Sequence, residues 1–138
     1  MILPILLAIY QIPMTCVAVD GDTLKCPEIG RVRLLGIDAP EMPGHCRKGR
    51  VCAPGDPQKS KAHLAKLIRG DVVISPVTRD RYGRTVGQVY SGGKNLACEQ
   101  LRAGMAVYKR AWDNGRRLAK KCRAADAKTQ PGKPDQSS

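Results

Sequence analysis

The sequence predicts an α+β domain in which about five short strands form a small closed barrel with about three helices around it. Short runs of β-favouring residues, bounded by Gly, Pro, Asn or Asp, alternate with segments that have apolar residues at helical spacing and capping residues at their ends. The chain has 138 residues, which suits one domain with a single core. Composition alone would indicate only the α+β class.

The first hairpin is predicted to turn at residues 20–22, D-G-D, which separate two short β-rich runs. A turn centred there makes Ala18 face Leu24 across the two strands and makes Cys16 face Cys26. The two thiols are then in register for a disulfide bond.

The next strand is predicted over residues 31–35, and residues 38–40, D-A-P, force its end. Arg33 and Asp38 are an odd number of residues apart, so strict alternation would send them to opposite faces. We therefore expect a bulge or bend at Gly36 that brings both to one pocket. Four candidate functional groups then lie at or near strand ends, where a scaffold holds side chains open to solvent: Asp22, Arg33, Asp38 and Glu41.

Residues 42–55 are rich in Pro, Gly and basic residues and predict an exposed loop. Arg47, Lys48 and Arg50 are expected to reach a polyanionic backbone from this loop. A helix follows, with Asp56 as its N-cap, because Pro at the first helical position and apolar residues at helical spacing come next.

The remaining elements are a β-hairpin and two helices. A strand over residues 72–77, interrupted at Pro76, pairs with residues 85–90 across a turn, so that Arg84 begins a strand. Asn95 is the predicted N-cap of a helix that ends at Gly104. A final helix with a basic exposed face is predicted over residues 116–127.

The two ends of the chain differ from the domain, which we place at residues 15–128. Residues 1–14 form an apolar segment that resembles the hydrophobic part of an export signal, although a positively charged start is absent. The alternative is a buried first strand. Residues 129–138 have the Pro, Gly, Gln and Ser content of a disordered tail.

Six cysteines in a chain of this size favour disulfides and an extracytoplasmic location, either periplasmic or secreted. Sequential pairing is the simplest of the 15 connectivities that six cysteines allow. A zinc site that includes His45, Cys46 and Cys52 is the alternative, although the spacing typical of zinc ligands is absent.

The charge of the chain predicts a polyanionic partner. It has 24 Lys and Arg against 12 Asp and Glu, a formal net charge of +12, and the basic residues are spread along the sequence. Four Tyr, one Trp and no Phe leave little for base stacking, so contacts to phosphate should dominate.

Three motifs in order resemble the staphylococcal (thermo)nuclease family: D-G-D-T at 20–23, R-V-R-L-L-G-I-D-A-P-E at 31–41 and D-R-Y-G-R at 80–84. The likeness extends over residues 15–108 and includes the helix after Asn95. It implies a five-stranded oligonucleotide-binding (OB) barrel and a calcium-dependent endonuclease that hydrolyses the phosphodiester bonds of DNA and RNA with low sequence specificity. A monomer is expected, and no membrane partner is expected after export.

The resemblance also implies a calcium site. Asp22 and Asp38 supply the hard oxygen ligands that Ca²⁺ or Mg²⁺ prefers. The backbone carbonyl of Ala39 is a third ligand, where the family's type enzyme has threonine. Asp20 is expected to bind the ion or to support its ligands.

Three catalytic residues and two substrate-binding residues follow from the same resemblance. Glu41 matches the glutamate that orients or deprotonates the attacking water, and Arg33 and Arg84 match the arginines that grip the phosphate. Arg81 and Tyr82 match positions that contact a terminal phosphate, with arginine in place of the usual lysine.

Two function classes stay open at this point. The alternative to a nuclease is a catalytically silent OB module that binds nucleic acid through its basic surface. A silent domain would be expected to have lost at least one member of the acidic and arginine set, and all are present. A disulfide-stapled basic protein that acts on membranes would leave the carboxylates unexplained.

Overall fold

The computed structural model describes residues 13–125 of the chain. The predicted C-terminal tail, and the predicted export segment except for Pro13 and Met14, lie outside the described residues. Within the described range no helix combines the length and the apolar character needed to cross a bilayer.

Over residues 13–125 a curled β-sheet forms a half-barrel with three α-helices, which confirms the predicted α+β, OB-like fold. Seven strands of the described chain belong to this sheet: β1 (Pro13–Met14), β2 (Val17–Ala18), β3 (Thr23–Cys26), β4 (Gly30–Leu34), β6 (Val72–Arg79), β7 (Thr85–Ser91) and β8 (Lys94–Asn95). The order is β1-β6-β7-β4-β3-β2, with β8 paired to β7. The strands β5 (Ile37–Asp38) and β9 (Val107–Tyr108) pair separately.

The first hairpin has the predicted register, since Ala18 pairs with Leu24. Cys16 and Cys26 form a disulfide with their Cα atoms 4.4 Å apart. The other cysteines also pair in sequence order, so the predicted connectivity is confirmed: Cys46 with Cys52 and Cys98 with Cys122. Both thiols of the alternative zinc site are therefore engaged with each other.

Chain direction changes at Gly36, which has φ of +81°. Leu35 and Gly36 form a turn after β4, and the chain then pairs as β5 with β9. Glycine tolerates this left-handed conformation without a steric penalty. The predicted bend between Arg33 and Asp38 is confirmed, and it takes the form of a turn between two sheets.

Two helices begin at the predicted caps. The helix α1 (Pro57–Leu67) is capped by Asp56, whose carboxylate accepts bonds from two backbone N–H groups. The helix α2 (Leu96–Arg102) is capped by Asn95, whose amide oxygen accepts a bond from the backbone N–H of Cys98. Each cap satisfies donors that the first turn of a helix leaves free.

The predicted third helix over residues 116–127 is wrong in its length. The helix α3 spans only Arg117–Lys121, because Arg116 has a left-handed backbone and Cys122 is extended. Cys122 is buried and bonded to Cys98 on α2, so it leaves the helical path at this point.

The predicted interruption at Pro76 is a shift of register within one strand. The strand β6 continues through Pro76, and its pairing with β7 shifts between Pro76 and Thr78. A proline has no N–H group to donate to the hydrogen bonds between strands, so a shift of register is expected beside it.

Apolar side chains from the sheet and the helices pack into one core. Its largest fully buried members come from the strands and from all three helices: Leu24, Val32, Leu34, Ile37, Leu64, Val72, Val89, Leu96 and Leu118. The core holds the sheet and its turns in place, and one side of this scaffold carries the cleft described next.

Candidate active site

An open cleft of about 1080 Å³ lies where the first hairpin, the β4–β5 turn, the loop after β5 and the β6–β7 turn meet. Most of the polar side chains that line it are charged, and both carboxylates and basic groups are among them. The predicted site residues on its surface are Asp20, Asp22, Arg33, Glu41, Arg81, Tyr82 and Arg84. Four separate segments of the chain bring these residues together, whereas the predicted ligands Asp38 and Ala39 are buried and do not line the cleft.

Asp22, in the first hairpin, lines this cleft and is held there by two hydrogen bonds. It is buried, and its Oδ2 accepts a hydrogen bond of 2.8 Å from the backbone N–H of Ala39. Its Oδ1 accepts a bond of 2.9 Å from the hydroxyl of Thr23. The first bond joins the D-G-D turn directly to the D-A-P segment, so the two acidic motifs are held against each other.

The D-G-D turn is clamped from behind by a buried amide. The side chain of Gln100 donates to the carbonyl of Gly21 at 2.8 Å and to the carbonyl of Ser60 at 3.0 Å. Its oxygen contacts Nδ1 of His63, so this histidine has a hydrogen-bonding partner within the scaffold. A Cβ on Gly21 would lie 1.8 Å from the hydroxyl oxygen of Ser60. Only glycine fits here, and no sequence signal indicated this clamp.

Arg33 lies between the two buried aspartates. Its Nη2 atom is 3.5 Å from Oδ2 of Asp22 and 3.6 Å from Oδ1 of Asp38, and it donates to the carbonyl of Ile37 at 3.2 Å. The guanidinium also lies over the ring of Trp112, 4.8 Å from its centroid. Stacking against a tryptophan face stabilises a cation and orients its plane.

Trp112 is held over the cleft by its neighbour Asp113, a residue that the sequence did not single out. The buried carboxylate of Asp113 accepts from the hydroxyl of Tyr108 at 2.7 Å and from the backbone N–H groups of Leu118 and Ala119. These bonds fasten the segment between β9 and α3 beside the β4–β5 turn.

Asp38 is almost fully buried, with 1% of its side chain exposed. Burial raises the pKa of this carboxyl, and the negative charge of Asp22 raises it further, although the positive charges of Arg33 and Arg50 oppose the change. Asp20 has a pKa raised to about 7, first by burial and then by the charge of Asp22. Crowded, desolvated carboxylates of this kind are stabilised by any cation that reaches them.

Glu41 lies at the edge of the cleft with 22% of its side chain exposed. Its Oε1 accepts a hydrogen bond of 2.8 Å from Nη1 of Arg50, which comes from the loop after β5. Nη2 of the same arginine lies 3.3 Å from Oδ1 of Asp38. The sequence placed Arg50 among residues that reach a polyanion, and its contact with both carboxylates depends on how that loop folds back.

The β6–β7 turn supplies the opposite wall. Nε of Arg84 forms a 2.6 Å ion pair with Asp80, whose carboxylate also accepts from the backbone N–H groups of Tyr82 and Arg84. Partial burial alone would raise the pKa of Asp80, but the hydrogen bonds and charge of Arg84 lower it. Arg81 donates to the hydroxyl of Tyr82, and this bond lowers the pKa of that phenol. An exposed aromatic ring is thus surrounded by cations.

The residues present fit a hard divalent cation. Asp22 and Asp38 share one nitrogen of Arg33 as a neighbour, and burial keeps the pKa of Asp38 raised although two arginines lie beside it. Within residues 13–125 no three His, Cys, Asp or Glu side chains are grouped as a metal site. A cation would therefore take two carboxylates and a backbone carbonyl from the chain and the rest of its ligands from water, as Ca²⁺ can.

Comparison with known proteins identifies the family of this chain. The model of the family described as staphylococcal nuclease homologue matches residues 31–133. An uncharacterized endonuclease of Escherichia coli is 34% identical over 117 residues, which cover 75% of this chain and 70% of that protein. An uncharacterized endonuclease of Haemophilus influenzae is 38% identical over 92 residues, covering 63% of this chain and 46% of that protein.

A plant relative, the staphylococcal-like nuclease CAN1 of Arabidopsis thaliana, is 36% identical over 93 residues. These residues cover 65% of this chain and 25% of the plant protein. The chain thus spans less than half the length of the Arabidopsis thaliana and Haemophilus influenzae proteins, and 70% of the length of the Escherichia coli protein. The family match covers the second and third motifs and the elements between them, and by this match the chain belongs to the staphylococcal nuclease family.

Proposed function

We propose that this protein is a calcium-dependent nuclease that hydrolyses phosphodiester bonds in DNA and RNA with little sequence preference. The observation that carries the proposal is one open cleft lined by a buried aspartate, a glutamate and two arginines, with a second buried aspartate, Asp38, in contact with one of those arginines. Membership of the staphylococcal nuclease family supports the same reaction class.

Asp22, Asp38 and the carbonyl of Ala39 are the proposed calcium ligands. When bound, the ion would supply positive charge to a phosphoryl oxygen and a place for a water molecule. Asp20 is placed to support the site, because it accepts a hydrogen bond from the backbone N–H of Asp22 at 3.0 Å. The change from the family's threonine to Ala39 keeps a carbonyl ligand, which any residue provides.

Glu41 is the proposed acceptor of the proton from the attacking water. It lies at the edge of the cleft near Asp38, since one guanidinium contacts both side chains. Arg33 and Arg84 then offset the charge that accumulates on the phosphate as the transition state forms. Planar guanidinium groups suit this role because they donate two parallel hydrogen bonds to phosphate oxygens.

Substrate binding is proposed to depend on phosphate contacts. Arg81 and Tyr82 line the same cleft and are proposed to bind a terminal phosphate. The net charge of +12 would draw any nucleic acid to the surface without reading its sequence. DNA and RNA are therefore both expected as substrates.

Digestion of a supercoiled plasmid and of a structured RNA, each with Ca²⁺ or with excess EGTA, tests the proposal. We expect both substrates to be cleaved only with calcium. Full activity in EGTA without added metal would overturn the metal dependence. Binding of both nucleic acids with no cleavage under any condition would instead identify a silent binding module.

An extracytoplasmic location is proposed from the three disulfides, which form and persist in oxidising compartments. Mass spectrometry of protein recovered from its native compartment under non-reducing conditions tests it. We expect a mass lower by six hydrogens than that of the reduced chain; six free thiols would refute the proposal.

A further inference from the structure

The loop after β5 is closed into a small ring by the disulfide between Cys46 and Cys52, six residues apart in sequence. It carries three basic side chains: Arg47, Lys48 and Arg50. Only Arg50 of these forms ion pairs within the described residues. All three line the cleft, and Arg50 is the one whose guanidinium reaches carboxylates among the described residues.

Arg50 bridges two carboxylates that belong to different parts of the site. Its Nη1 is 2.8 Å from Oε1 of Glu41, and its Nη2 is 3.3 Å and 3.5 Å from the two oxygens of Asp38. Glu41 has no other side-chain hydrogen bond or ion pair in the part of the chain described. The direction in which the Glu41 carboxylate points thus depends on Arg50.

The ring restricts where Arg50 can go. Its backbone N–H donates to the carbonyl of Arg47 at 3.0 Å, and Gly49 between them has φ of +86°. A disulfide across so short a segment removes most of the conformations that an open, Gly-containing loop would sample. The arginine is thereby kept near the carboxylates although its loop has almost no buried surface.

We propose that Arg50 is a positioning residue of the active site: the ring closed by Cys46 and Cys52 holds it so that it orients Glu41 and competes with the divalent cation for Asp38. The proposal rests on the proposed nuclease function. It assigns Arg50 a role apart from Arg47 and Lys48, which line the cleft but form no ion pair with the described carboxylates.

Two measurements on the oxidised protein test this role, using Arg50→Ala and the conservative Arg50→Lys. The first is the affinity for Ca²⁺ by calorimetry without nucleic acid. Because Arg50→Ala removes a positive charge that shares the oxygens of Asp38, we expect calcium to bind about threefold more tightly. Lys48→Ala removes the same charge from the same loop without touching a carboxylate, and should leave the calcium affinity unchanged.

The second measurement is steady-state cleavage at saturating calcium. Loss of the bond that orients Glu41 should lower kcat about tenfold in Arg50→Ala while KM stays within about twofold, because a misplaced reacting group affects turnover more than binding. Arg50→Lys keeps one donor and should recover part of kcat. The double substitution Cys46→Ser with Cys52→Ser opens the ring and should lower kcat in the same direction by a smaller factor.

The possible results separate the two proposals. If wild-type protein binds calcium and cleaves, but Arg50→Ala has wild-type calcium affinity or an unchanged or raised kcat, the positioning role is overturned and the nuclease proposal stands. A rise in KM with constant kcat would mean that Arg50 binds substrate phosphate, which also overturns it. Wild-type protein that neither binds calcium nor cleaves would overturn both.

Discussion

Replacing Glu41 by glutamine is the sharpest test of the proposed chemistry. The substitution keeps the size of the side chain and one oxygen that can accept the bond from Arg50, but it removes the group that accepts a proton. Positioned general bases contribute factors of about 10² to 10⁴ to the rate. We therefore expect single-turnover cleavage to fall by about 10²-fold or more at saturating substrate and calcium.

The structure indicates that this loss would not come from unfolding. The ion pair between Glu41 and Arg50 is partly exposed, with 22% and 36% of the two side chains accessible. Exposed pairs of this type contribute about 0.2 to 1 kcal/mol to stability. The free energy of unfolding should therefore change by less than about 1 kcal/mol, and nucleic-acid binding should persist.

The matched control is Glu28→Gln, the same chemical change in the exposed turn between β3 and β4. Glu28 does not line the cleft, so this variant should cleave at the wild-type rate. The assay is single-turnover cleavage of a labelled oligonucleotide, with affinity measured separately in calcium. A Glu41→Gln variant that cleaves as fast as Glu28→Gln would refute the role of Glu41 as proton acceptor.

Three further predictions concern other parts of the site. Arg84→Ala should lower kcat by about 10²-fold, because it removes positive charge that is needed most in the transition state. The affinity for nucleic acid should fall only modestly and in a salt-dependent way. Equal kcat values for variant and wild type would contradict this. Gly21→Ala should reduce the free energy of unfolding by about 1 to 3 kcal/mol, because the new methyl group overlaps Ser60. Urea denaturation measures this, and an unchanged midpoint would count against the clamp. The lowered pKa of Asp80 means that its contribution to stability is present above its ordinary pKa of 3.8 and is lost as the pH falls through the lower folded value. Asp80→Asn should therefore flatten the acid side of the stability curve, and denaturation from pH 5 to pH 2.5 that runs parallel for both proteins would exclude this.

Local signals in the sequence were sufficient for most of the fold. The turn residues at 20–22, with Cys16 and Cys26 at matching distances on either side, specified the first hairpin and its disulfide. The capping residues Asp56 and Asn95 located two helix starts, because a cap side chain accepts hydrogen bonds from backbone N–H groups at most three residues later. Such features depend on neighbours along the chain, so the local sequence predicts them.

The length of the third helix does not follow from local sequence. Helical spacing over residues 116–127 was real, but the backbone at Arg116 is left-handed and the path after Lys121 is set by a bond from Cys122 to a distant helix. A long-range constraint of this kind overrides local helix propensity, which amounts to less than about 1 kcal/mol per residue. No local pattern indicates where it acts.

What the sequence by itself determined was the family, the fold class and the acidic and arginine motifs whose spacing predicted a shared pocket. Only the tertiary structure decided how those residues contact one another: the Gln100 clamp behind Gly21, the stacking of Trp112 on Arg33, and the reach of Arg50 to Glu41. These partners come from segments tens of residues apart, and the pairing depends on packing and loop closure rather than on spacing along the chain. Residue type therefore indicates what chemistry is available, whereas the folded core decides which groups meet.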